Sequence, residues 1–318
     1  MTKPRLMMVI PVYNEEKVLP LTAPMFLEEL RLLIQKDMIA EDSRVLFVND
    51  GSRDRSWEMI RALAKEDSHY TGITLSRNRG HQNALYAGLM YAKDRCDITI
   101  SIDCDGQDDV AAMEEMVQKY LTEGCEIVYG VRSARDTDTF LKRTTAEGFY
   151  KVMQKMDAET VFNHADYRLL SKRALEGLAE FREVNLYLRG LVPLIGYKSD
   201  CVYYSRTRRM AGESHYSLKK MLSLAANGIT SLSTKPITMI TTLGGLVTAG
   251  GGTALLVQII LALCSFSIAG WGWVLSAMVL LTGIQLLAIG IVGSYVGKIY
   301  LEAKGRPRYI IAETTEDR

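Results

Sequence analysis

The chain has 318 residues, enough for two ordinary domains or one large one, and its 38 Lys and Arg against 37 Asp and Glu leave a net charge of +1. That balance excludes a nucleic-acid binder working by bulk basic charge. It also hides a partition: residues 236–297, 62 in a row, hold no Asp, Glu, Lys, Arg or His, while residues 1–235 carry 33 basic and 33 acidic side chains, so a wholly soluble protein is not expected.

The apolar stretch in Met1–Ile10 is short and runs quickly into Asn14-Glu15-Glu16, which does not read as a signal peptide. From Arg5 to about Val131, β-branched runs alternate with amphipathic stretches of helical length. Strands are predicted at Leu6–Val12, Val45–Val48, Gly72–Leu75, Ile98–Ile102 and Glu126–Tyr129, and helices near 21–39, 54–66, 81–93 and 110–122. This alternation predicts an α/β fold, a mostly parallel sheet covered on both faces.

In such sheets ligands sit at the carboxyl ends of the strands. There the chain places Pro11-Val12-Tyr13-Asn14-Glu15-Glu16, Asn49-Asp50-Gly51-Ser52 and Asp103-Cys104-Asp105-Gly106-Gln107-Asp108. Singly, each has a plain explanation: Asn-Asp-Gly-Ser is an ordinary turn before a helix cap, and a lone Asp-x-Asp is a solvated loop. Three acidic clusters at the strand ends of one sheet repel one another unless a cation or a hydrogen-bonding ligand fills the crevice, which points to a metal-nucleotide site. No GxGxxG follows a strand and no GxxxxGK[ST] occurs, so neither a dinucleotide fold nor a P-loop is supported. Arg77-Asn78-Arg79-Gly80-His81-Gln82-Asn83 is suited either to phosphate contact or to capping and solvating the helix it precedes.

Past residue 131 the alternation fades. A helical stretch is predicted near Thr139–Met156, followed by Asn163-His164-Ala165-Asp166-Tyr167-Arg168-Leu169-Leu170 and a basic segment, Tyr204–Tyr216, with Arg206, Arg208 and Arg209. Apolar residues at 218, 221, 222, 225, 229 and 232 give residues 216–235 one helical face, fit for the bilayer interface or for a soluble core. A span needs about 20 apolar residues. The charge-free region therefore predicts two transmembrane helices, about 236–264 and 273–297, joined by Ser265–Gly272. Lys219, Lys220, Lys235, Lys298, Lys304, Arg306 and Arg308 all flank the hairpin and none lies in its turn, which predicts a cytosolic catalytic domain, residues 1–215, and a cytosolic tail, 298–318. Small residues at Gly244, Thr248 and Gly252, and at Gly293 and Gly297, permit close helix packing within the hairpin or in a homo-oligomer. The five cysteines form no CxxC pair, as in a reducing compartment without a zinc site.

Pro11-x-Tyr13-Asn14-Glu15, Asn49-Asp50-Gly51-Ser52-x-Asp54 and Asp103-x-Asp105-x-Gln107-Asp108 together resemble the family 2 inverting glycosyltransferases of the GT-A fold. Asp166-Tyr167-Arg168-Leu169, Arg206-x-x-Arg209-x-x-Gly212-x-Ser214, the hairpin and Lys304-Gly305-Arg306-Pro307 narrow the resemblance to the polyprenyl-phosphate glycosyltransferases, the bactoprenol glucosyltransferase and dolichol-phosphate mannosyltransferase group. The family pattern Asp-x-Asp-Leu-Gln-Asp-Pro-Pro departs here at Gly106 and Asp109-Val110, and His215 stands where a Lys is common. No Gln-x-x-Arg-Trp is present, which favours one sugar per acceptor over processive synthesis.

The resemblance implies an enzyme of the bacterial inner membrane that passes one sugar from a nucleotide diphosphate sugar, with UDP the expected carrier, to undecaprenyl phosphate. It implies that Asp103, Asp105 and Gln107 hold Mg²⁺ or Mn²⁺; that Pro11, Tyr13, Glu15, Asp50, Asp103 and Cys104 surround the nucleoside; and that Arg132 lies near the diphosphate. Arg206 and Arg209 would meet phosphate. Asp166 is the base by position or an orienting group for Arg168 or the acceptor. Transfer to another lipid such as diacylglycerol, or a non-catalytic membrane scaffold, are the alternatives.

Overall fold

The computed structural model describes residues 3–133, 164–183, 186–205 and 271–316. Its centre is β1 (Leu6–Val12), an apolar run with all seven residues buried, the sequence character of a strand covered on both faces. In chain order follow α1 (Leu19–Gln35), β2 (Arg44–Asn49), α2 (Ser56–Glu66), β3 (Tyr70–Leu75), α3 (His81–Ala92), β4 (Ile98–Ser101), α4 (Ala112–Glu123) and β5 (Ile127–Arg132). Then come β6 (His164–Ser171), α5 (Lys172–Ala179), α6 (Leu188–Leu194), β7 (Ser199–Tyr204), α7 (Trp271–Ala303) and β8 (Ile311–Thr314). The expected strands and helices up to Arg132 are all present, with ends shifted by a few residues.

The eight described strands form one sheet in the order β7-β5-β6-β4-β1-β2-β3-β8. β1 pairs in parallel with β2 and β4, and β2 with β3. Successive residues of β1 serve opposite faces: Met8 and Ile10 pack with α1 and α4 residues such as Phe26, Leu30 and Met116, whereas Met7 and Val9 pack with Leu85 and Leu89 of α3. Pro11 occupies a central strand without breaking it. The β1–β4 register ends at Val9 opposite Ser101, so the N–H that Pro11 lacks would face a position β4 no longer fills.

Two strands depart from the parallel pattern and shape the site. β6 runs antiparallel between β4 and β5, with Arg168 opposite both Ser101 and Tyr129. Its amino end therefore lies at the carboxyl ends of β4 and β5, which brings Asp166 next to the acidic loop. β8 arises within the expected tail and pairs antiparallel with β3. Arg308, just before it, donates to the Phe181 carbonyl at 2.6 Å and stacks on the Tyr86 ring, so the segment after α7 is tied back to the catalytic sheet.

Helix α7 is 33 residues long and contains the second expected span. Its side chains are described only in part, and among the described residues no helix combines the length and unbroken apolar run that crossing a membrane requires. Val274, Met278, Ile289 and Ile299 on α7 are at least half exposed, and a Cβ at Gly293 or Gly297 would have no neighbour within 4 Å. The helix expected near 139–156, the segment 216–235, the span 236–264 and residues Arg206 and Arg209 lie outside the described residues.

Candidate active site

The loops after β1 and β2 are stitched together. Ser52 Oγ accepts the Asn14 N–H and Asn14 Oδ1 accepts the Arg53 N–H, each at 2.9 Å, while Ser56 Oγ accepts the Glu15 N–H at 2.9 Å. Asp54 accepts the Glu16 N–H at 3.1 Å and the Ser56 hydroxyl at 2.6 Å. Burial pushes its carboxyl up, and the Ser56 and Glu16 hydrogen bonds more than offset this to hold it below its ordinary range. Ser52 and Asp54 thus build the loops. Pro11 is buried beneath them, Glu15 is half-buried, and the Tyr13 ring is exposed at the rim.

Asp50 is buried, with Oδ1 accepting the Arg79 N–H at 2.7 Å and Oδ2 the Gly80 N–H at 2.8 Å. Burial raises its pKa against the opposing pull of these two amides. Gly51, at φ 62, has no room for a Cβ, which would stand 2.6 Å from the Arg77 carbonyl carbon. The Asp50 turn and the Arg77–Gly80 loop therefore touch main chain to main chain, and Asp50 shapes the wall expected to face the nucleoside.

The acidic loop begins after β4. Asp105 Oδ1 accepts the Gln107 N–H at 3.1 Å across Gly106 at φ 66, a left-handed conformation that the leucine of the family pattern would resist. Asp103 and Asp105 flank Cys104, whose thiol is buried in the core 3.7 Å from Thr22 Oγ1 and pushed up to about 12 by burial. A nucleotide contact at Cys104 would fall to its main chain. Asp108 is buried too, and its Oδ1 accepts Tyr204 Oη at 2.7 Å and Arg132 Nη2 at 3.3 Å. Arg132, expected near the diphosphate, is thus anchored to the acidic loop; desolvation lowers its pKa, and Asp108 and Tyr204 more than restore it.

His81 Nε2 lies between two carboxylates, 3.5 Å from Asp103 Oδ1 and 3.6 Å from Asp166 Oδ2. Desolvation would lower the imidazole pKa, but the bond to Asp166 and the charge of Asp103 raise it overall. Asp103 is raised by desolvation in the crevice and by Asp108, Asp166 and Asp105, with His81 opposing. Asp166 goes the other way. Arg168 Nη2 donates to its Oδ1 at 2.5 Å, Arg189 donates to both oxygens at 3.3 and 3.1 Å, and Gln82 Nε2 donates to Oδ2 at 3.3 Å. Burial alone would push this carboxyl up; Arg189, His81 and Arg168 hold it well below the usual carboxylate range. Of this cluster Asp103, Asp166 and Arg168 are expected site residues. Gln82 and His81 lie in the segment read as phosphate contact or cap, and Arg189 carries no motif of its own.

Among the described residues no three His, Cys, Asp or Glu side chains are grouped so as to hold a metal by themselves. The donor set nevertheless fits a hard cation of the Mg²⁺ type, which is commonly held by one or two carboxylates, substrate phosphates and water. Asp103 and Asp105 supply the carboxylates, and Asp103, crowded by acidic neighbours, is the group a cation would relieve.

Residues 7–178, more than half of the chain, match the model of glycosyl transferase family 2. The chain belongs to that family. It is 48% identical over 310 residues to the uncharacterised glycosyltransferase YkoT of Bacillus subtilis, covering 98% of this chain and 92% of YkoT. It is 35% identical to the bactoprenol glucosyl transferase of Shigella phage SfX, over 96% of this chain and 98% of the relative, and 36% identical to the prophage bactoprenol glucosyl transferase homologue of Escherichia coli K12 over the same shares. Among solved structures, glucosyl-3-phosphoglycerate synthase of Mycobacterium tuberculosis, in complex with Mn²⁺, UDP and phosphoglyceric acid, shares 17% identity over 72% of this chain and 77% of its own, with a TM-score of 0.45. The protein is thus a glycosyltransferase with a mostly parallel α/β catalytic sheet.

Proposed function

We propose that this glycosyltransferase transfers one sugar, glucose or an N-acetylhexosamine, from its UDP derivative to undecaprenyl phosphate at the cytosolic face of a bacterial inner membrane, with inversion at the anomeric carbon. One observation carries the reading: the likeness to bactoprenol glucosyl transferases extends over 96% of this chain and 98% of theirs, the apolar C-terminal region included.

The acceptor nucleophile is a phosphate oxygen. With a second pKa of about 6, a phosphate monoester is already largely dianionic at neutral pH and needs no strong base. Asp166, held as a carboxylate by two arginines, is accordingly an organising group. Negative charge grows on the departing diphosphate, where preorganised cations count most. Arg132 and, ahead of the membrane, Arg206 and Arg209 are the residues assigned to phosphate. Mg²⁺ or Mn²⁺ held by Asp103, Asp105 and Gln107 would offset part of that charge.

The membrane hairpin belongs to the same proposal. It is supported by the 62 charge-free residues and by the exposed apolar side chains along α7. β8 returns to the catalytic sheet after α7, which fits an even number of crossings between them.

The test is a panel of nucleotide sugars offered, with undecaprenyl phosphate, to membranes from an expressing strain. One labelled sugar should appear in an organic-extractable product labile to mild acid. A product stable to mild acid, or none with any donor, would overturn the acceptor assignment.

A further inference from the structure

β8 lies near the end of the chain, after α7, yet it is bound throughout to the amino-terminal half. Without it β3 would be the edge of the sheet, with a row of main-chain groups left open. The Thr315 N–H donates to the Gly72 carbonyl at 2.9 Å, and Thr315 Oγ1 accepts the Gly72 N–H at 3.0 Å. Glu313 accepts Trp57 Nε1 of α2 at 3.1 Å and pairs with Arg61 at 3.5 Å. Glu316, just past the strand, pairs with Arg44 of β2 at 2.6 Å and accepts the Tyr91 hydroxyl of α3 at 3.0 Å.

Glu313 stands opposite Thr74 and Ile311 opposite Leu75, so Ala312 is an extra residue in β8. A bulge of this kind bends its strand and re-aims what lies beyond it. Beyond this one the Ile310 carbonyl accepts the Ser76 N–H at 2.9 Å. Ser76 opens the loop that forms the wall expected to face the nucleoside. Main chain of Arg77 and Asn78 lies against Gly51, and the Arg79 and Gly80 N–H groups bind Asp50. Ser76, Arg77 and Asn78 are themselves exposed, so the course of the loop is set by its main-chain anchors, β8 at its start and Asp50 at its end.

We propose that β8 is a positioning element of the donor site: by holding Ser76 it fixes the loop whose amides orient Asp50, and the place for the donor's nucleoside is complete only once the segment after α7 has docked on β3. The inference rests on the reading that the donor is a UDP sugar. A loop released at one end samples other conformations, and a site that is competent only part of the time binds its ligand more weakly by that fraction. On this account residues 1–215 lack part of their own donor site, and the strand that follows the apolar region supplies it.

The test compares the full chain in detergent with a chain ending at Tyr309, by amide hydrogen exchange and by calorimetric binding of UDP with Mn²⁺. Without β8 the Arg79 and Gly80 amides should exchange about tenfold faster and UDP should bind about tenfold more weakly, as for a loop that holds its binding conformation about a tenth of the time. Amides of β5 and β6, across the sheet, should keep wild-type protection; an equal loss there would be general loosening and overturns the inference. If the shortened chain fails to fold, Thr315→Val carries the test. It removes the oxygen that accepts the Gly72 N–H and should move both readouts in the same direction, whereas Thr315→Ser keeps that oxygen and should restore them. Wild-type exchange at Arg79 and Gly80 in the folded variant overturns the inference, and so does faster exchange there with unchanged UDP affinity. If wild type binds no UDP, the donor reading falls instead, and the exchange result still decides whether β8 holds the loop.

Discussion

Tyr204, the last residue of β7, donates its hydroxyl to Asp108 Oδ1 at 2.7 Å, fastening the acidic loop to the sheet's far edge. Asp108 belongs to the same short motif as Asp103 and Asp105 yet is buried where they are not. A buried carboxylate persists only when charged and polar partners satisfy it. Asp108 therefore acts as the anchor of the motif, and the ligand-facing chemistry falls to its neighbours.

That division predicts opposite outcomes for two substitutions. Tyr204→Phe should lower the stability of the full chain by about 1–3 kcal/mol, the value of a buried hydrogen bond to a charged group. Chemical denaturation would measure it. A Phe variant as stable as wild type would show that the hydroxyl does not hold the loop.

Asp105→Asn should do the reverse. A neutral amide is a poor ligand for a hard divalent cation, so turnover should fall by about a hundredfold or more while the unfolding midpoint stays near wild type. EDTA should abolish wild-type transfer and added Mg²⁺ or Mn²⁺ restore it. Full activity in the Asn variant would remove Asp105 from the metal site.

The contrast between these residues shows what could be read from the sequence. β1 was legible to the residue because Leu6–Val12 is apolar throughout and buried on both faces. The three acidic loops were legible because each follows such a run. β6 was not: its run includes Asp166 and Arg168, and a strand that buries an ion pair carries no hydrophobic signature. β8 was hidden for a different reason. Four residues, Ile311–Thr314, make a strand only because the exposed edge of β3 supplies partners more than two hundred residues away in sequence. Arg189 gains its meaning from the same kind of distant contact, since the antiparallel insertion of β6 brings Asp166 to it.

Membrane topology gives the next prediction. Every flanking Lys and Arg lies outside Ser265–Gly272, and Ile311–Thr314 pairs with the catalytic sheet, so the C-terminal segment and the catalytic domain should share one side of the bilayer. Alkaline phosphatase inserted within Ser265–Gly272 should be active in the periplasm, and the same reporter after Arg318 silent. The opposite pattern would separate the enzyme from a cytosolic nucleotide sugar.

The last prediction concerns Glu29, which is 7% exposed in the middle of α1. Its carboxyl is pushed up from an ordinary value of 4.5 to about 7, first by burial, then by Glu114, with Lys36 opposing and Asp109 and Glu28 adding to the rise. Lys36 is held by Glu114 in a 2.5 Å ion pair, which limits what it can do for Glu29. An acid whose folded pKa lies above its unfolded one binds more protons when folded, so stability falls as pH rises between the two values and levels off above the upper one. Wild type should therefore lose stability between about pH 4.5 and pH 7 through this group. Glu29→Gln, neutral at every pH, should be more stable than wild type by about 1–3 kcal/mol at pH 8, and the gap should close toward pH 5. Paired denaturation curves of the two proteins at pH 5 and pH 8 measure the difference directly. A gap of equal size at both pH values would mean that the Gln variant changes packing and that Glu29 does not titrate in this range.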